Sequence, residues 1–329
     1  MTGMECDYES LGFPTREVCE FPNIVNAEVY RSQCPCRCVH CPVGTTEPDM
    51  RAERFGEQGM ALGLYEKIAD EMSHYPGRVL RVHSVGEPLL WGNLPKALAI
   101  SHGRGVKSWI FTSAVTDDLQ LLDCVCENAD IVEVSANSSN SADYKATKGV
   151  DAFRLVMRNI RHMRTTIRAG LPTRLIVSRV QSTSREADEE FVRYWKSTGL
   201  TDDAFVRSYH TYNELLPELQ SRPACAHDPC LVHWARFNIA VDGRAVVCFN
   251  ELFKPRLDPS LVLGDTNTQS IAEVWHGPEL SALRKAELTA DYSGLACRCA
   301  LPCKNCTSCQ PLHGDRKTSE NQVKHLKNE

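Results

Sequence analysis

Long apolar runs are missing from this 329-residue chain: nowhere do about 18 consecutive apolar residues occur, the length a membrane-spanning helix needs. The N-terminus also lacks the basic start and apolar stretch of a secretory signal, so a cytoplasmic protein with no membrane partner is expected. A basic field is missing too. With 37 Lys and Arg against 42 Asp and Glu the net charge is −5, and no Lys/Arg run appears before the mixed tail at Gly314 to Glu329. Nucleic acid is thereby excluded as the main partner. No internal repeat or low-complexity tract interrupts the chain, and 42% hydrophobic content over this length can bury a full core.

Cysteine, by contrast, is abundant. Sixteen occur, most of them grouped at residues 34–41, 225–248 and 297–309. Disulfide frameworks belong to short secreted chains, so metal binding is the better reading. Zinc ribbons also use C-x2-C pairs and stand as the competing metal. Against zinc stands the run Arg31-Ser-Gln-Cys-Pro-Cys-Arg-Cys-Val-His-Cys-Pro-Val-Gly44, in which Cys34, Cys38 and Cys41 form C-x3-C-x2-C, an odd triplet. Soft thiolates suit iron–sulfur clusters, and three ligands on a four-iron cube leave one iron open for another group. Cys36 is an extra thiol at a spacer position.

From residue 24 onward, short β-rich runs alternate with helical patterns. Strands are expected at 24–30, 78–85, 106–112, 131–135, 173–180 and 204–208, and helices at 63–73, 94–101, 117–127, 152–169 and 185–197. Such alternation implies a parallel sheet with right-handed crossovers, and six βα units fit an open, partial (β/α)6 barrel. Functional residues gather at the carboxyl ends of strands in such sheets, which is where the cysteine loop lies. The alternation stops after about residue 215. Beyond it, Phe237 to Val241, an Asp242-Gly243 turn and Ala245 to Val247 read as a hairpin, and 270–288 as one helical run capped by Thr268 or Ser270. The expected division is an N-terminal extension (1–23), the α/β barrel (24–215), a small cysteine-rich domain (216–311) and a polar tail (312–329).

The cysteine triplet resembles that of the radical S-adenosylmethionine (SAM) superfamily. That resemblance implies the same partial barrel, with Cys34, Cys38 and Cys41 holding a [4Fe–4S] cluster whose open iron is chelated by SAM. It further implies that an electron from a donor such as flavodoxin or ferredoxin cleaves SAM to a 5′-deoxyadenosyl radical. Cys36 is then a bystander, and His40 stands where the family usually has an aromatic residue. One βα unit later, His83-Ser-Val-Gly-Glu-Pro-Leu-Leu90 resembles the family's glycine- and glutamate-bearing segment, in which Gly86 and Glu87 receive the methionine ammonium. A carboxylate is a strong acceptor for such N–H groups. Strand ends at Thr112 and Ser113 and at Ser135 and Asn137 carry small polar groups suited to ribose or carboxylate, or simply to turns and caps. Arg179 is a candidate partner for the methionine carboxylate. Arg207, Tyr209 and His210, at the end of the sixth strand, are placed to reach substrate.

Cys230, Gly243 and Cys248, as C-x12-G-x4-C, resemble the opening of the SPASM or shorter Twitch extension that binds auxiliary [4Fe–4S] clusters. The closing set, Cys297, Cys299, Cys303, Cys306 and Cys309, departs from the full SPASM pattern. At least one auxiliary cluster is implied, on Cys230, Cys248 and two of Cys303, Cys306 and Cys309, with Cys225 a further candidate. The spacing most resembles the Twitch-type aminocyclitol dehydrogenases and related epimerases and dehydratases of antibiotic pathways. Hydrogen abstraction from a hydroxyl-bearing carbon of a sugar, aminocyclitol or nucleoside intermediate is therefore expected, with oxidation to a ketone ranked before epimerisation and dehydration. Side-chain modification of a peptide is the alternative. Deprotonation requires a base, for which Glu189, Arg207 and His210 are the candidates.

Overall fold

The computed structural model describes residues 18–212, 214–217, 230–289 and 291–295. Six parallel strands form its centre: β1 (Ile24–Arg31), β3 (Val79–Val85), β4 (Lys107–Thr112), β5 (Ile131–Val134), β6 (Arg174–Val180) and β7 (Asp203–Arg207), adjacent in that order. The short α1 (Arg51–Phe55) and β2 (Gln58–Gly59) follow β1, and β2 pairs antiparallel with it. Crossovers run through α2 (Leu62–Ser73), α3 (Leu94–Gly103), α4 (Leu119–Asn128), α5 (Ser141–Lys148) with α6 (Phe153–Arg168), and α7 (Arg185–Thr198). The expected partial (β/α)6 barrel is therefore present.

Strand alternation sorts the residues onto two faces. Val25, Ala27 and Val29 of β1, Leu80 and Val82 of β3, and Val132 and Val134 of β5 join the main core with the buried stripes of the helices, such as Leu64, Ile68 and Met72 of α2. On the other, inner face lies a smaller apolar layer of Ile24, Val79, Trp109, Ile131, Ile176 and Phe205. Polar side chains follow it along the same face. Asn26 donates to Asn238 at 2.7 Å, and the Arg81 guanidinium stacks 4.8 Å from Trp109 and 4.4 Å from Phe111.

Past residue 230 come α8 (Leu231–Ala235), the hairpin of β8 (Arg236–Ile239) and β9 (Arg244–Val246), then β10 (Val262–Asp265), α9 (Ile271–Trp275) and α10 (Pro278–Thr289). The tight turn needs Gly243, whose φ is 95° and where a Cβ would lie 2.3 Å from the Asn267 amide nitrogen. Two features differ from the sequence expectation. The single helical run is two helices, because Gly277 precedes Pro278: proline disfavours helix at the residue before it and suits the first position of a new helix. Ser270 caps the first of them in a reciprocal box with Glu273. The hairpin, moreover, is no separate sheet. β8 pairs in parallel with β1, Ile24 opposite Arg236 and Ala27 opposite Ile239, so one ten-stranded sheet runs through both parts and β1 is not left as an open edge.

Arg31 ties these parts together. Its guanidinium binds Glu28 at 2.6 Å and the carbonyl oxygens of Phe55 (3.1 Å) and Leu252, while the Val241 N–H donates to the other Glu28 oxygen at 3.1 Å. Burial pushes the Glu28 carboxyl up to about 7, against the pull of Arg31. Between its ordinary 4.5 and about 7, the folded chain thus keeps a proton that the unfolded chain has released. The stability this contributes, on the order of 3 kcal/mol, is complete below the unfolded value and is lost as pH rises through the folded one. Urea unfolding at pH 5.5 and pH 8 should show the wild type losing more stability than Glu28→Gln over that interval; parallel losses would refute the assignment.

Candidate functional site

The cysteine loop follows β1 at its carboxyl end, and three neighbours hold its backbone. From one side, Arg51, buried at the start of α1, donates to the carbonyl oxygens of Cys34 (2.6 Å), Cys36 (3.0 Å) and Thr46 (3.1 Å). From the end of β3, Val85 O accepts from Ser32 N at 2.7 Å and Glu87 N donates to Gln33 O at 2.8 Å. Gly86 permits that approach, since a Cβ there would lie 2.6 Å from Gln33 O. At the end of α5, the carbonyls of Lys148 and Thr147 accept from Arg37 N (2.8 Å) and Val39 N (3.1 Å). Gly149, at φ 68°, lets the chain turn away where a Cβ would meet Arg37 O at 2.5 Å. Gly44 in turn packs on Cys38, whose carbonyl a Cβ would meet at 2.3 Å.

Cys36, Cys38 and Cys41 lie together inside this frame with Cys34. Cys36 is buried with its thiol against those of Cys34 and Cys38, which lowers its pKa, while the same contact and burial raise those of Cys34 and Cys38. Burial pushes the Cys41 thiol up. Among the described residues no three ligating side chains converge on one point, as a mononuclear ion would need. Four thiols on one loop are a soft donor set, of the kind that thiolate-bound clusters use. His40 is held neutral, at about 3, by burial and by the charge of Lys148.

Lys148 is the residue whose role the sequence did not reveal. Its ammonium is buried at the carboxyl end of α5 and donates to Ser135 O at 2.8 Å; no carboxylate pairs with it among the described residues. Burial opposes that charge, but the adjacent Cys38 and Cys36 push its pKa up. A lysine in the last turn of a helix ordinarily sits in solvent near the C-terminal carbonyls, so nothing in its sequence position marked it.

Gly86, Glu87, Thr112 and Ser113 meet at one point. The buried Glu87 carboxylate accepts from Thr112 Oγ1 (2.6 Å), Ser113 N (2.8 Å), Ser113 Oγ (2.5 Å) and Leu89 N (3.3 Å), which fixes it beside the cysteine loop. Burial raises its pKa, opposed by the Ser113 and Thr112 hydrogen bonds. Ser135 and Asn137 lie at the next strand end. Asn137, at φ 57°, donates to Ser135 Oγ at 2.8 Å and accepts from Val180 N at 2.8 Å, stapling β5 to β6. With Ser32 (φ 84°) and Ala114 (φ 55°), it is one of three non-glycine residues held left-handed just beyond strands β1, β4 and β5.

Arg179 is committed elsewhere: its guanidinium binds Asp188 at 2.8 Å, Asp143 at 2.9 Å and Asn137 O at 2.8 Å. Arg207 pairs with the buried Glu133 at 2.8 Å and stacks 4.7 Å from Phe111, on the inner face. Glu189 lies apart from these groups, exposed on α7 and paired with Arg185 at 2.9 Å. Tyr209 donates to Pro217 O at 2.9 Å, and His210 is half-buried with its ring 6.1 Å from that of Tyr212.

Cys230 precedes α8, its N–H directed at Glu287 (3.3 Å), a buried carboxylate that also binds His233 Nδ1 (2.6 Å) and Trp234 Nε1 (3.0 Å). Cys248 follows β9, with its sulfur 3.4 Å from Asn250 N. Cys225, Cys297, Cys299, Cys303, Cys306 and Cys309 lie outside the described residues.

If the loop is held as described, Gly86→Ala should force Gln33 away, lower the melting temperature by several degrees and reduce iron uptake on reconstitution. Gly63→Ala, on α2 with nothing within 4 Å of the new Cβ, should do neither. Equal behaviour of the two variants would sink this account.

Comparison with known proteins agrees with the geometry. Residues 230–310 match the SPASM family, an iron–sulfur cluster-binding domain. No curated protein matches the sequence. SuiB of Streptococcus suis, bound to its precursor peptide SuiA, superposes at a TM-score of 0.63 with 12% identity, over 82% of this chain and 68% of that one. The protein anSMEcpe with bound AdoMet superposes at 0.61, also with 12% identity, over 92% and 94%. BtrN in complex with AdoMet and 2-DOIA aligns at 0.49 with 17% identity, over 88% and 97%, too loosely to carry an argument. The chain thus shares its fold with SuiB and anSMEcpe, and its residues 230–310 are similar to the SPASM iron–sulfur cluster-binding domain.

Proposed function

We propose that this protein is a radical SAM oxidoreductase acting on a sugar, aminocyclitol or nucleoside intermediate. In this reading a hydrogen atom is taken from a hydroxyl-bearing carbon, the hydroxyl proton passes to a base, and one electron passes to an auxiliary [4Fe–4S] cluster on Cys230, Cys248 and cysteines of the closing set, which leaves a ketone. A [4Fe–4S] cluster on Cys34, Cys38 and Cys41, with SAM on its open iron, would supply the 5′-deoxyadenosyl radical that takes the hydrogen atom.

The observation that carries the reading is a buried ammonium beside the cysteine loop. Lys148 has no carboxylate of its own among the described residues, so the carboxylate of SAM is its fitting partner, in place of the Arg179 that sequence suggested. Glu87, held by Thr112 and Ser113, contributes negative charge on the other side of the loop, where an ammonium belongs. Arg51 keeps the loop in place without contributing a ligand.

For the substrate, the polar inner face supports a small hydroxylated molecule better than an apolar one. Arg207 is held by Glu133 and by stacking, and Asn26 by Asn238, so these groups are rigid before any ligand arrives. An electron donor such as flavodoxin or ferredoxin is the external partner the reaction requires.

Anaerobic reconstitution followed by SAM and dithionite tests the chemistry. Formation of 5′-deoxyadenosine is expected, with about eight irons per chain for one auxiliary cluster or about twelve for two, and about four fewer in Cys34/Cys38/Cys41→Ala. Lys148→Met should keep its iron yet bind SAM at least tenfold more weakly; unchanged affinity would return the carboxylate to another residue. Incubation with aminoglycoside and nucleoside intermediates should yield a product about two mass units lighter, the two hydrogens lost on forming a ketone. Failure on every sugar with success on a peptide would overturn the substrate class.

A further inference from the structure

His83 lies on the inner face of β3, two residues past Arg81, and is almost entirely buried, 5% exposed. Its ring lies 4.8 Å from that of Phe249, the residue after Cys248, tilted 52° to it, and it sits three residues before Gly86. The segment therefore spans the space between the SAM site and the start of the SPASM domain. Across the sheet its register partner is Glu28, but that carboxylate is occupied by Arg31 and Val241 N. Among the described residues neither ring nitrogen of His83 makes a hydrogen bond of normal geometry; the backbone of the adjacent Ser84 is the one polar group that pulls on the ring.

An imidazole buried with both nitrogens unmatched is costly to the fold, and an aliphatic or phenyl side chain would pack there without that cost. Such a group calls for a ligand. Burial, together with the positive charge of Arg81 and Arg31, holds the ring neutral, at about 3, against the opposing pull of the Ser84 backbone. A neutral imidazole offers one donor and one acceptor. A hydroxyl is itself both donor and acceptor, so it satisfies either nitrogen.

We propose that His83 is a substrate-binding residue, hydrogen-bonding a hydroxyl of the substrate between the SAM site and Phe249. This rests on the reading of the protein as an enzyme of hydroxylated small molecules. His83 orients the substrate; it does not take its proton, because the two arginines disfavour a charged ring.

The test compares wild type, His83→Phe and His83→Asn as cluster- and SAM-loaded proteins under anaerobic conditions, with 2-deoxystreptamine as the calorimetric probe. His83→Phe keeps an aromatic ring against Phe249 and removes both ring nitrogens. It should bind the probe at least tenfold more weakly with its iron content and SAM affinity intact, and should melt no lower than wild type, because an unmatched polar group has been removed. His83→Asn should recover part of the affinity. Equal probe binding by wild type and His83→Phe overturns the proposal. So does a melting temperature several degrees lower in His83→Phe, since the ring would then serve the fold. If wild type ignores 2-deoxystreptamine and other cyclitols, it is the sugar reading that fails; the melting comparison still decides whether His83 faces a ligand or the core.

Discussion

Arg51 is the point on which the site depends. The cysteine loop has no helix or strand to shape it, and its carbonyls would otherwise turn to water. One buried guanidinium binds three of those carbonyls, from Cys34 to Thr46, and so fixes the curvature of the loop before any iron arrives. Charge-assisted hydrogen bonds of this kind are roughly twice as strong as neutral ones. The cation is also a gain for thiolates, since it lowers the pKa of Cys41 against the effect of burial. Once the loop is set, the two close approaches at Gly86 and Gly149 follow, for each brings a strand or helix end against the carbonyl of Gln33 or Arg37, next in sequence to Cys34 and Cys36, whose carbonyls Arg51 holds.

Charge is distributed around that loop in an ordered way. Lys148 approaches it from α5 and Glu87 from β3, and each is buried. Neither is neutralised by the other: Glu87 is satisfied by hydroxyl and N–H donors, and Lys148 by a carbonyl and by the thiols. Buried charges that are hydrogen-bonded but not paired are costly in an isolated domain and useful in a binding site, where the ligand supplies the counter-charge. The methionine end of SAM carries one charge of each sign, which suits this separation.

Much of this was legible in the sequence. Strand and helix alternate with strong apolar periodicity, so the six βα units could be read within a few residues, as could the cysteine loop at the end of the first strand and the Asp242-Gly243 hairpin. What escaped has physical reasons. Helix α5, Ser141–Lys148, has only Tyr144 and Lys148 buried, so it shows no apolar stripe; its marks were the Asn140 cap and the Gly149 stop. Lys148 and Arg51 look like surface residues until folding buries them. Arg179 was chosen for its charge and its strand end, but Asp143 and Asp188, distant in sequence, take up that charge. Strand pairing at long range is likewise invisible to local pattern, which is why the hairpin could be read but not its pairing with β1.

That pairing has a mechanical consequence for the chemistry. Because β8 hydrogen-bonds to β1, the strand that presents Cys34 and the hairpin that presents Cys248 belong to one sheet, and Arg31 spans the same junction by binding Glu28 on one side and Leu252 O on the other. A hinge between separate domains would let the distance between the two cysteine sets vary, and electron transfer is sensitive to that distance. Here a sheet and a buried ion pair oppose such motion. Phe249 and Phe253 pack 5.4 Å apart in the same junction, and the apolar cluster there includes Val43 and Phe55 of the barrel side. The barrel and the cysteine hairpin thus share one sheet, one set of Arg31 contacts and one apolar cluster.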